Sequence, residues 1–250
     1  CVALVVTTKL TGLILILLFP LLVWKLFPNW QKICLFLGLS LIAFSLTFVT
    51  IWQIHFSLGF SINPNLKNSG YYDASPEYKE LIAQRKQGSL ISFPLKIRDS
   101  FSYVKQYQKG VPILNLCKSS ENGSPAFFWP LGARSINYRW ETPDAGKSYQ
   151  YLYLQSNPVI WLIGLFGVIS TTSLLLISLF FPLKDPIENR FLIVIFLILY
   201  WGYMVIVSRL NRVMYLYHYF PPLLFSFCLF ALWVKEIKRI GKWLLSLIHI

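Results

Sequence analysis

The sequence predicts an all-α polytopic membrane protein of about five transmembrane helices, with a mixed extracytoplasmic loop of roughly 100 residues, too long for a mere connector. Two observations carry that expectation. The chain is 56% hydrophobic and only 13% charged, where a soluble domain carries about 25% charged residues. It also contains five apolar runs that approach the ~20 residues needed to cross a bilayer.

The first run is roughly Val2 to Trp24, with Lys9 and Pro20 near its two ends, and the second is Ile33 to Ile54, uncharged throughout. The third, Pro158 to Phe181, opens on a proline, which suits a first helical position. Phe191 to Val207 and Val213 to Val234 complete the set. Their apolar character is continuous rather than one-sided, as lipid-exposed helices require. Residues 1–54 therefore read as two transmembrane helices, 55–157 as an outer loop domain and 158–234 as three further helices.

Basic residues in short loops set orientation. Lys25 and Lys32, then Lys184 and Arg190, then Lys235, Lys238, Arg239 and Lys242 all fall on one side if the helices alternate. That side is expected to be cytoplasmic, which places the loop and the Arg209–Arg212 turn outside. The tail 235–250 alternates basic residues with Ile237, Ile240, Trp243, Leu244, Leu247 and Ile248. That is the spacing of an amphipathic helix on the cytoplasmic interface, and a plain anchor is its simplest role.

Within the loop, Ser75-Pro76-Glu77 reads as a helix start, with Tyr78, Leu81 and Ile82 on one side and a stop at Gly88. Leu90 to Ile97 has strand-like composition and Asn122-Gly123 marks a turn. The chain begins with Cys1 and lacks a signal-peptide pattern, so it is expected to be the C-terminal part of a longer polypeptide. Of the four cysteines, only Cys117 lies in a polar segment, and no disulfide framework or metal spacing is visible.

The net charge of +13 excludes little by itself. In a soluble protein it would point to nucleic acid, but here the cations lie between apolar helices. Anionic lipid or a lipid phosphate is the expected partner, and nucleic acid is not. On the outer face, the run Ser124 to Trp140 carries Arg134 and Arg139, and Arg209, Arg212 and His218 are expected on the same side. Guanidinium forks grip phosphate oxygens, and aromatics such as Trp129, Tyr138 and Tyr217 suit headgroup depth. For Arg209 and Arg212 simple snorkelling is an equal reading. For His218 a structural hydrogen bond to a neighbouring tyrosine competes with function, and His55 has the same ambiguity. Three isolated histidines do not make a metal site, and no cofactor is evident. The outer carboxylates Asp73, Glu77, Glu80, Asp99, Glu121, Glu141 and Asp144 read as solvated partners of the loop's twelve basic residues. None has a spacing that singles it out as a general base.

The segment SPAFFWPLGARSINYRW, followed by SNPVIWLIGL, resembles a stretch of the protein O-mannosyltransferases. RVMYLYHYFPPLLF is similar to that family's R-x-x-F-L-Y-H-Y-F-P segment, and IHFSLGF with ASPEYKELI resembles its I-H-F and S-P-E-F-Q stretch. Ser135 stands where the family has proline, and a preceding His-Pro-Tyr is absent. The resemblance implies the C-terminal four-helix region of a GT-C glycosyltransferase. Such enzymes move mannose or a related hexose from a dolichyl- or polyprenyl-phosphate donor to Ser or Thr hydroxyls of exported proteins. The loop is too short for the family's inserted sugar-binding-like domain, which implies a bacterial plasma-membrane member. The family's acidic base lies upstream, so the chain alone is expected to be inactive. A lipid-modifying sugar transferase and a non-enzymatic scaffold subunit are the alternatives, and an oligomer is left open.

Overall fold

The computed structural model describes residues 10–59, 74–118, 121, 123–141, 148–181, 186–210 and 212–248, for 10, 11, 137–141 and 240–248 the backbone alone. The chain divides into two compact units, Cys1–Pro112 and Ile113–Ile250. Among the described residues, four helices are long and apolar enough to cross a membrane, at Trp30–Leu58, Pro158–Phe180, Arg190–Ser208 and Leu216–Arg239. A shorter apolar stretch covers Gly12–Leu26. The molecule is thus the mostly helical polytopic membrane protein that the apolar runs predict.

In the first unit, a 3-10 helix at Leu10–Leu17 leads into α1 (Leu18–Leu26). These are the described part of the run expected at Val2–Trp24. The next helix, α2 (Trp30–Leu58), is capped by Asn29, whose side chain accepts the amide of Lys32 at 3.0 Å. α3 (Pro76–Ala83) starts as expected: Ser75 caps it, Pro76 follows, and Glu77 lies in the first turn. Leu81 is buried on its inner side. The helix ends before Gly88, because Arg85 turns the backbone left-handed at φ 54°.

The strand expected at Leu90–Ile97 is instead the start of a helix, α4 (Phe93–Gly110). Pro94 is harmless in a first turn, and beyond Ile97 the run is rich in Lys, Arg and Gln. The tertiary reason is Lys96, which is fully buried. Its ammonium donates to Gln53 Oε1 at 2.9 Å, to the Gln87 carbonyl at 2.7 Å and to the Ser89 carbonyl at 2.9 Å. It also sits 5.3 Å from the centre of the Phe56 ring. Gln53 in turn donates to the Gly88 carbonyl at 2.7 Å. One cation thus ties α4 and the turn before it to the last turns of α2. Burial holds the pKa of this ammonium below the ordinary lysine value.

In the second unit, a 3-10 helix at Ala126–Leu131 precedes an antiparallel hairpin of β1 (Ile136–Glu141) and β2 (Gln150–Leu154). Ile136 pairs with Leu154 and Glu141 with Gln150, with a bulge between Asn137 and Arg139. The spanning helices are α5 (Pro158–Phe180), α6 (Arg190–Ser208) and α7 (Phe220–Ile248). α5 is capped by Asn157, which accepts the amides of Val159 and Ile160. It packs on α7 through small residues: the backbone nitrogen of Phe230 lies 2.7 Å from where a Cβ on Gly167 would stand, and Ser226 fills the space beside Gly164. Phe166 and Trp233 meet edge to face at 4.9 Å on the same seam.

The last span does not begin at Val213 as expected. Residues Leu216–Tyr219 form a separate 3-10 turn, and α7 opens on Phe220-Pro221-Pro222, where prolines forfeit no intrahelical hydrogen bond. α7 then runs unbroken into the segment read from the sequence as a separate tail. Where the two meet, Glu236 is buried and accepts both the backbone and side-chain amides of Asn189, each at 3.1 Å. Arg239 donates to the same carboxylate and to the Pro186 carbonyl, and Lys235 pairs with Glu188 at 3.0 Å. This clamp fixes the start of α6 against α7.

Candidate functional site

The site is built around Trp129, which is wholly buried at the centre of the 3-10 helix at Ala126–Leu131. Its indole N–H donates to Ser124 Oγ at 2.7 Å, and its carbonyl accepts the indole N–H of Trp161 in α5 at 2.8 Å. The Ser124 amide reaches the Met214 carbonyl at 2.9 Å, joining this segment to the turn before α7. His218 stacks with Trp129, their rings 6.1 Å apart and 16° from parallel, and with Tyr217 at 4.3 Å. From α6, the Tyr203 hydroxyl donates to the His218 carbonyl at 2.8 Å, while Tyr200 and Tyr219 join hydroxyls at 3.1 Å. The three sequence segments SPAFFWPLGAR, SNPVIW and RVMYLYHYFPP thus meet at one knot of buried aromatics.

Gly132 closes the 3-10 helix in a left-handed conformation at φ 68°, and Ser156 occupies the space a side chain there would need. Its carbonyl accepts the Ser156 hydroxyl at 2.8 Å. Only glycine fits such a turn without strain. Two residues on, Arg134 is also left-handed, at φ 63°, which costs a non-glycine residue about 1 kcal/mol. Its guanidinium donates to the Gly123 carbonyl at 3.0 Å.

Beside the knot lies a groove of about 390 Å³, lined among others by Leu114, Ser124, Phe127, Ser208, Arg209 and Arg212. The buried Arg212 Nε finds no hydrogen-bond partner among the described residues. A second, mainly apolar cleft of about 230 Å³ opens between α5, α6 and the 3-10 helix, and shares Phe127 and Ser208 with the first. Two arginines and two serines therefore line a groove that abuts an apolar cleft between spanning helices. An anion with a long apolar substituent matches that arrangement.

The structure thus brings Arg209 and Arg212 together, while Arg134 is held at the Gly123 carbonyl and lines neither cleft. His218 is buried and lines neither cleft. Its Nδ1 lies 3.0 Å from the Tyr215 carbonyl and 3.3 Å from the Tyr215 amide. A structural hydrogen bond to a neighbouring tyrosine is thus present, made to the backbone of Tyr215. Trp129 is a buried keystone rather than a headgroup aromatic. The side chains of Tyr138 and Arg139 lie outside the described residues, as do Asp73 and Asp144.

Among the carboxylates, Asp99 is buried and accepts the Ser75 amide at 3.0 Å, so it is no solvated surface acid. Glu121 accepts the Gly123 amide at 2.7 Å and the Asn115 amide at 3.3 Å. Those amides, the Gly123 one foremost, hold its carboxyl below the usual range, aided by Lys118 and Arg134 and opposed by partial burial. The sequence offered no signal for Tyr203 or Met214, whose partners His218 and Ser124 lie 15 and 90 positions away along the chain. No group of three or more potential metal ligands gathers among the described residues.

Four helices long and apolar enough to cross a membrane, three of them in the unit that holds the aromatic knot, define an integral membrane protein. A family model described as the C-terminal four-TMM region of protein-O-mannosyltransferase matches residues 114–247, more than half of the chain. The chain belongs to that family, and with it to membrane proteins related to O-mannosyl transfer. No curated protein and no solved structure matches the chain.

Proposed function

We propose that the chain is the C-terminal part of a membrane glycosyltransferase that uses a polyprenyl- or dolichyl-phosphate sugar. It passes mannose or a related hexose to Ser or Thr hydroxyls of exported proteins. The observation that carries this reading is the placement of Arg209 and Arg212 on one groove that abuts an apolar cleft. In this reading the guanidiniums receive the donor phosphate, whose negative charge grows as the sugar–phosphate bond breaks. The isoprenoid chain lies along Leu131, Leu165 and Trp201 in the neighbouring cleft. Arg134 and His218 then support the groove from behind, Arg134 through Gly123 and His218 through Trp129. The groove faces outward and the basic end of α7 faces the cytoplasm of a bacterial plasma membrane. The general base comes from an acidic residue upstream of this chain.

The test uses membranes containing the full-length gene product, a radiolabelled polyprenyl-phosphate mannose and a Ser/Thr-rich peptide. Label is expected in the peptide, and the Arg209→Ala/Arg212→Ala double variant is expected to lower donor use by at least about tenfold, the equivalent of one lost charge-assisted contact. Label in lipid alone would favour the lipid-modifying alternative. No transfer by a folded protein would favour the scaffold.

A further inference from the structure

The second half of α4 lies outside the family-matched residues, and its pattern is that of a membrane-surface helix. At 3.6 residues per turn, Tyr103, Tyr107, Val104 and Phe101 fall within an arc of about 160°. Phe101 is 59% exposed, Tyr103 43% and Tyr107 51%, the two tyrosines stacking at 6.1 Å. Lys105, Arg98 and Lys109 follow in that order round the axis from the Phe101 edge of the arc toward its far side, and they pair with no carboxylate among the described residues. Ser102 stands directly opposite the centre of the arc, and Gln106 lies between it and the Tyr103 edge.

The position of the helix supplies the partner. α4 starts where Phe93 meets Phe56 at 6.1 Å and Lys96 meets Gln53, both in the last turns of α2. α2 has 29 residues and is thus about 43 Å long, more than the ~30 Å hydrocarbon thickness. Some of the helix must therefore lie outside the hydrocarbon, and its last turns, which carry Gln53, His55 and Ser57 and pack on the start of α4, suit headgroup depth. We propose that α4 lies along the bilayer surface, with Phe101, Val104 and Tyr107 among the acyl-chain ends. Arg98, Lys105 and Lys109 then contact anionic lipid headgroups. This places an anionic-lipid contact in the first unit, independent of sugar transfer.

The test places an environment-sensitive fluorophore at Phe101→Cys or Gln106→Cys, with the four native cysteines replaced, in the reconstituted full chain. Vesicles are phosphatidylcholine with or without phosphatidylglycerol. A quencher attached to lipid is expected to remove most emission at 101 and little at 106 when phosphatidylglycerol is present. Replacing Arg98, Lys105 and Lys109 with Gln, or omitting phosphatidylglycerol, is expected to expose position 101 to aqueous iodide. The spanning helices keep the chain in every vesicle, so these readouts report α4 alone. Equal quenching at 101 and 106 would overturn the proposal, as would quenching at 101 that ignores both lipid charge and the triple variant. Shielding of 101 from iodide without lipid quenching would also overturn it, in favour of a protein covering this face.

Discussion

The two units solve the same problem with opposite chemistry. Each must hold a polar segment against the end of a spanning helix, where unpaired donors and acceptors are costly. The first does so with a charge: Lys96 gives its three donors to one side chain and two carbonyls. The second uses neutral groups, with Trp129, Trp161, Ser124 and Tyr203 linking three segments through indole, hydroxyl and backbone. A buried ammonium tolerates few substitutes, because any replacement leaves acceptors empty. A neutral aromatic knot derives more of its strength from packing, so its failure is a failure of volume.

The difference can be broken from either side. Trp129→Ala is expected to destabilise by about 4 kcal/mol in denaturant titration, because a large buried ring leaves a cavity. Trp129→Phe, which restores most of the volume, should recover more than half of that. Lys96→Met is expected to cost less, about 2 kcal/mol, since it keeps the stem but leaves the Gln53, Gln87 and Ser89 oxygens without their donor. If Lys96→Met proved as costly as Trp129→Ala, the lost charge in the first unit would weigh as much as the lost volume in the second. The smallest effect is electrostatic and belongs to Glu121. Its carboxyl titrates below the ordinary value in the folded protein, so its stabilisation is fully present above the unfolded-state pKa. It is lost as pH falls through the folded-state pKa. Proteolysis within 114–124 should therefore accelerate on acidification, and Glu121→Gln should remove most of that dependence.

The membrane helices were legible in the sequence because contact with lipid demands long apolar runs whatever packs beside them. The cap at Ser75 was equally legible, since a cap is a local hydrogen bond. Leu90–Ile97 misled because its composition favours a strand, while the backbone follows the distant bond from Lys96 to Gln53. The groove was half legible. Arg209 and Arg212 were named as anion-binding candidates, but nothing local told that Ser124 and Phe127 would line the same groove. The position of His218 was hidden for the same reason: stacking on Trp129 is a contact between residues 89 positions apart.

The clamp at Glu236 also sets a rule on length. Between Tyr219 in the knot and Glu236 the helix is continuous, so each inserted or deleted residue would turn the carboxylate about 100° around the axis and shift it about 1.5 Å along it. A single-residue indel would carry Glu236 away from Asn189 as surely as mutating it. Point changes along the exposed side of this helix leave the angle untouched. The stretch from the knot to the clamp therefore behaves as a ruler, indifferent to much of its lettering but not to the number of its marks.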